Sequence, residues 1–139
     1  MELLNIESDE DALIEKLKEI ADFRSVESIG RKDKPSALQY PCAFVYWFGD
    51  SSVQNKPRQI VTRKFHVLVY QRNFRGENHA ADNTYSLVEA VFEKLSGYKT
   101  MEYTETLNCT SINIADYDAG VIAYQMEFSA KRYINRITN

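Results

Sequence analysis

The sequence predicts an α+β protein, a mainly antiparallel mixed sheet with two helices packed on one side, in the order α-β-β-β-α-β-β. Three observations predict it. From Val121 to Tyr133, Ile122, Tyr124, Met126, Phe128 and Ala130 alternate with more polar residues, and a period of two over that length marks a long, half-buried strand. Cys42-Ala-Phe-Val-Tyr-Trp-Phe48 is apolar at almost every position and mostly β-branched or aromatic, the pattern of a strand covered on both faces. Two other segments switch to helical spacing: Leu13, Ile14, Leu17, Ile20 and Ala21, then Tyr85, Val88, Val91, Phe92 and Leu95.

Each element has its own start and stop signals. Ser8 offers a cap and Asp9, Glu10 and Asp11 an acidic first turn, which predicts a helix over 9–22. Val26 to Ile29 is a short strand closed by Gly30 and the charged, Pro-containing segment 31–35. Pro41 holds the start of the next strand to Cys42, and Gly49-Asp-Ser-Ser52 followed by Gln54-Asn-Lys-Pro57 predicts a break over 49–58. The strand at 59–70 places Phe65, Val67 and Val69 on one face and Lys64, His66, Leu68 and Tyr70 on the other, as an antiparallel partner of 42–48 requires. A polar loop at 71–79 leads to the second helix, 80–95, which Ser96-Gly97 ends. Thr106 to Ile114 alternates again, and Asp116-Tyr-Asp-Ala-Gly120 turns the chain into the last strand as a hairpin.

At 139 residues the chain fits one domain, 1–139, able to bury roughly 68% of the surface its unfolded form exposes. With 44% hydrophobic and 27% charged residues, it is not a disordered composition. Cys42 and Cys109 both lie in apolar strand-like runs, so buried reduced thiols are expected rather than a disulfide framework or a zinc site. The first residues show neither a basic leader nor an apolar block, and no run is long and apolar enough to span a membrane, so a cytosolic protein is expected.

The net charge of −3 argues against general nucleic-acid binding, yet the charge is unevenly spread. Between Arg31 and Arg75 nine basic residues face only Asp33 and Asp50, an excess of seven. The first helix and the stretch from Glu77 to Asp118 are acidic, and unlike faces favour head-to-tail association.

A search for chemistry returns little. Five scattered glycines assemble no dinucleotide fingerprint or phosphate loop. His66 lies in mid-strand, and His79, beside Glu77 and Asp82, has no second His or Cys at ligand spacing, so a packed or solvent-facing place is expected for the first and a helix-capping or surface role for the second. A cysteine nucleophile would need an exposed thiol with a lowered pKa, which neither apolar run predicts. Asp116 and Asp118 lack the further oxygen ligands of a calcium site. No catalytic residue, metal or cofactor is expected. Phe44, Tyr46, Trp47 and Phe48 near Lys56, Arg58, Arg63 and Lys64 combine rings and cations as single-strand nucleic-acid platforms do, but rings on both faces of one strand suit a core or subunit interface better.

Taken together, the acidic first helix, Cys42 to Phe48, Phe65-His-Val-Leu-Val-Tyr70, Tyr85 to Leu95 and Gly120 to Tyr133 resemble the tail-terminator proteins of tailed phages and prophages. The pattern is similar in particular to the Mu Gp37-like group of tail-completion or minor tail proteins. The resemblance implies a structural, non-enzymatic subunit that forms a ring, commonly hexameric, on the tail tube. The ring would end tube polymerisation and present the surface that joins the head. Its implied partners are further copies of itself, the tail tube protein and a head-completion or connector protein, with DNA only as passing cargo and no membrane. Its implied location is the host cytoplasm during assembly and then the virion tail. Within that scheme Lys56, Arg58, Arg63, Lys64 and Trp47 are candidate contacts to a neighbouring subunit or the tube. Glu102, Glu105, Asp116 and Asp118 are candidates for a channel lining that repels phosphate. The basic, aromatic tail Lys131-Arg-Tyr-Ile-Asn-Arg136 is a further candidate to reach a neighbour. The alternatives are another neck or head-tail joining protein of similar topology, or a small nucleic-acid-binding regulatory domain.

Overall fold

The computed structural model describes residues 4–29, 39–54, 59–72, 77–101, 104–118 and 120–134; at 52–54, 59, 77–83 and 116–118 it describes the backbone alone. The elements are α1 (Ile6–Leu17), β1 (Ser25–Ser28), β2 (Cys42–Gln54), β3 (Gln59–Arg72), α2 (Glu77–Leu95), β4 (Asn108–Asp118) and β5 (Val121–Ile134). The predicted order holds, and the fold is α+β.

One five-stranded sheet runs β1-β2-β3-β5-β4. β1 lies parallel to β2 and every other neighbour is antiparallel. The long central pairing is β3 with β5, in register from Gln59↔Ile134 to Arg72↔Val121. Because side chains alternate across a strand, this register puts Val45, Val67 and Met126 in one row on one face. There they meet Leu13 and Leu17 of α1 and Leu87, Val91 and Leu95 of α2 in a single core. Both helices therefore cover the same face. The opposite face carries Phe44, Tyr46, His66, Leu68 and Tyr70, all partly exposed, so β2 is covered on one face rather than both.

Several boundaries differ from expectation, and at both ends of α1 and at the ends of β2 and β4 there is a physical reason. α1 begins at Ile6 rather than 9, behind Asn5 in the left-handed conformation with no side-chain cap. Asp9 and Glu10, expected to stabilise a helix start, are inside the helix and buried, drawn into tertiary hydrogen bonds described below. The helix ends early because Glu19 and Ile20 bond back three residues, to Lys16 and Leu17, and tighten the chain into a turn. β2 continues through the Gly49-Asp-Ser-Ser52 stretch, because a bulge at Phe48 absorbs one extra residue and Gly49 takes φ 156°, a conformation that a side chain disfavours. β4 likewise runs on to Asp118, paired with Val121, so Asp116 and Asp118 belong to a strand rather than to the turn, in which Gly120 takes φ 79°.

Candidate functional site

The β2–β3 hairpin carries most of the predicted contact residues. Toward the connecting end of the hairpin, on the helix-covered face, Asp50 sits directly opposite Arg63. Arg63 is fully buried, with 0% of its surface exposed. Its Nε and Nη2 donate to the two carboxylate oxygens of Asp50, at 3.0 and 2.8 Å, and its Nη1 donates to Asp9 Oδ2 at 2.7 Å and to the Leu4 carbonyl. Four of its five N–H donors are thus satisfied in a two-sided fork. Burial works against this charge, but the hydrogen bonds to Asp50 and Asp9 outweigh it and hold the guanidinium pKa above its ordinary value. The predicted outward contact at Arg63 is corrected: the side chain locks the start of α1 to the hairpin from inside.

The lock extends outward. Thr100 donates to the other oxygen of Asp9 at 3.0 Å. The indole N–H of Trp47 donates to Asp50 at 2.8 Å, and the Trp47 backbone N–H donates to Glu10 at 3.1 Å. Glu10 also accepts from the Ser28 hydroxyl, which joins α1 to β1. Trp47 is therefore held at two points while 36% of it faces solvent. A large amphipathic ring with its polar tip anchored and its body exposed has the form of an interface anchor.

Across the strand, Phe48 stacks on His66 with ring centroids 3.9 Å apart, and Tyr46 packs edge-on against the same ring, its hydroxyl at Nδ1. Lys64 Nζ lies 5.9 Å from the Phe48 ring centroid, at the outer limit of a cation–π contact. Burial pushes the His66 pKa down, and nearby Glu127 opposes this. Histidine here is a packing residue among rings, as expected for its mid-strand place.

The remaining candidates divide by position. Lys56, Arg58 and Glu102 lie outside the described residues. Asp116 and Asp118 are placed by backbone on β4, an edge strand. Glu105 is exposed and accepts a 2.6 Å hydrogen bond from the Tyr133 hydroxyl, which raises the pKa of that phenol. The tail expected to reach outward is instead part of the sheet as far as Ile134: Arg132 is buried and donates to Thr104 at 2.9 Å, while Lys131 stays exposed. Residues 135 and 136 of that tail lie outside the described residues.

Cys42 is buried and its pKa is pushed up to about 11, by burial first and by Glu27 second. Cys109, expected to be buried, is only half-buried because it lies on edge strand β4, and burial raises its thiol too. Both thiols are protonated near neutral pH and poor nucleophiles. Among the described residues no group of three or more His, Cys, Asp or Glu stands together as a metal site. A groove of about 710 Å³ between α1 and β1 is lined by residues including Glu7, Asp11, Glu15 and Glu27, and among the described residues no histidine or cysteine stands in its walls. Among the described residues no helix is long and apolar enough to cross a membrane.

Sequence reasoning missed Asp9 and Asp50 as partners of Arg63, and Thr100 as a partner of Asp9. The available signal was Asp50 itself, one of only two acidic residues in the basic segment from 31 to 75.

Comparison with known proteins gives the architecture its context. No curated protein matches the chain. Among solved structures, a chain from the virion of a native gene transfer agent (GTA) particle superposes with a TM-score of 0.62 at 12% identity, over 89% of this chain and 93% of that one. At that identity the likeness is one of fold. The family described as phage tail terminator protein matches residues 4–139. With nearly every residue inside that match, the chain belongs to the phage tail terminator family and is a structural protein of the phage tail.

Proposed function

We infer that this chain is a terminator subunit of the Mu Gp37-like kind, a single domain that assembles into a ring, six-membered in the commonest case, on the growing end of the tail tube. The ring stops tube growth and presents the surface to which the head-completion or connector protein binds. The observation that carries this reading is the family match along residues 4–139. Two features of the subunit support it. The half of the β2–β3 hairpin nearer the connection that bears Lys56 and Arg58 is held by a buried arginine paired with Asp50 and Asp9. Beside that pair, Trp47 is anchored through its indole and keeps exposed surface, and Lys64 is partly exposed. Glu105, Asp116 and Asp118, with Glu102, are the proposed acidic lining past which DNA slides without adhering. Assembly takes place in the host cytoplasm, and the product stays in the virion tail.

The reading is tested by adding purified protein to polymerising tail-tube subunits and imaging the tubes by negative stain. Rings of one diameter at tube ends, with shorter tubes as the protein is increased, are expected. Tubes that keep growing uncapped at excess protein overturn it, and capture of the protein on the portal side instead assigns it to the neck.

A further inference from the structure

The first pairs of β2 with β3, from Cys42↔Tyr70 to Trp47↔Phe65, keep one register, and those from Gly49↔Lys64 to Ser52↔Val61 keep another, shifted by one residue at Phe48. That shift decides where Asp50 goes. Side chains alternate across a strand, so with Trp47 on the helix-covered face an unbroken ladder would put residue 49 on that face and Asp50 on the open one. Gly49 would then stand opposite Arg63. The extra residue at the bulge reverses the parity, and Asp50 arrives opposite Arg63 with its carboxylate on the helix-covered side.

The two ladders serve the buried cation very differently. In the bulged one, Asp50 accepts from Arg63 Nε and Nη2 at 3.0 and 2.8 Å and from the indole N–H of Trp47 at 2.8 Å. In the unbroken one, a residue without a side chain faces Arg63, those three donors lose this acceptor, and Asp50 moves to the open face opposite Thr62. Arg63 has 0% of its surface exposed, so solvent is a poor substitute for the lost carboxylate. The bulge costs less, since it leaves a single residue out of the ladder.

We propose that the Asp50–Arg63 pair is the register lock of the β2–β3 hairpin: the position of the carboxylate, not the glycine beside it, selects the bulged ladder over the unbroken one. Setting a register is the best-attested use of a buried polar pair, which seldom adds stability over an apolar core. The effect reaches past the pair itself. A slip of one residue turns each following side chain to the other face, so the lock decides what the outer half of the hairpin shows to α1 and what it shows to the open face. This goes beyond the ring reading and stands without it.

The register is read in the full chain from cross-strand backbone NOEs, because Ser51 faces Thr62 in the bulged ladder and would face Val61 in the unbroken one. Two variants separate carboxylate from glycine. Gly49→Asp/Asp50→Gly moves the carboxylate back by one residue, and Ser51 is expected to face Val61. Gly49→Ala removes the glycine and leaves the carboxylate in place, and Ser51 is expected to stay opposite Thr62. A third, Asp50→Ser, removes the lock, and a second set of resonances is expected over 49–52 and 60–63. Amide exchange there is expected to rise about 10-fold, the loss of one charge-assisted hydrogen bond, with 43–47 unchanged. Ser51 opposite Thr62 in the transposed variant, or opposite Val61 in Gly49→Ala, overturns the lock. Should the transposed variant not fold, Asp50→Ser decides, and a single set of resonances with wild-type protection overturns it.

Discussion

The two faces of the sheet are written in alternate residues of the same strands, yet they solve opposite problems. On the helix-covered face Phe65, Val67 and Val69 alternate with residues of the other face and meet α1 and α2, and this buried layer also holds a charged group, Arg63, because two carboxylates pair with it. On the other face Phe44, Tyr46, His66, Leu68 and Tyr70 stay partly exposed and lean on one another through ring contacts. The lesson is that burial in this protein follows helix cover and pairing, not residue class: an arginine is inside while Phe44, Phe48 and Trp47 are partly or largely outside.

The comparison breaks most severely at Arg63. Replacing it in Arg63→Met strands Asp9 and Asp50 in a buried site, and removal of one partner from such a pair costs about 3–5 kcal/mol. Urea denaturation is expected to show that loss, with partial recovery when Asp9→Leu and Asp50→Leu are added. A loss below about 1 kcal/mol would mean the network is solvated.

Next in size is a matched pair of truncations, one on each face. Phe65→Ala, at a side chain 2% exposed, is expected to cost about 3–5 kcal/mol through the cavity it leaves. Phe48→Ala, 39% exposed and stacked on His66, is expected to cost only about 1 kcal/mol. Equal costs would mean that the open face is covered in the monomer and the contrast is false.

The smallest effect is a pH dependence confined to the open face. Burial sets the folded His66 pKa below its ordinary value of 6.5. The unfolded chain therefore binds the proton first as pH falls, so this contribution to stability is complete above 6.5 and declines below it until the folded group also titrates. His66→Asn is expected to flatten that decline in a series of urea midpoints between pH 8 and 5. Parallel profiles for the two proteins would assign the pH dependence to other groups.

Much of this was legible in the residues. The period-two run of Ile122 to Ala130 and the helical spacing of Tyr85 to Leu95 gave the correct element types, because periodicity records which side of a local structure is buried. Breaks were less legible. Gly49 and Asp50 carry turn chemistry, but a bulge and a facing arginine kept them in a strand. The basic hairpin and Trp47 stood out in the sequence, whereas the exposure of Ile112 and Ile114 on an edge strand did not, since alternation marks a face without saying whether a helix extends over it.

What the sequence by itself determined is the set of elements, their order and the apolar side of each, all set by neighbours a few residues away. Only the tertiary structure decided that Arg63 belongs to Asp50, 13 residues before it, and to Asp9, 54 residues before it. It also decided which apolar residues remain uncovered at the two ends of the sheet. The physical reason is that charge pairing and helix cover are set by contacts between distant segments, and the cost of burying a cation is offset only when folding brings both carboxylates to it.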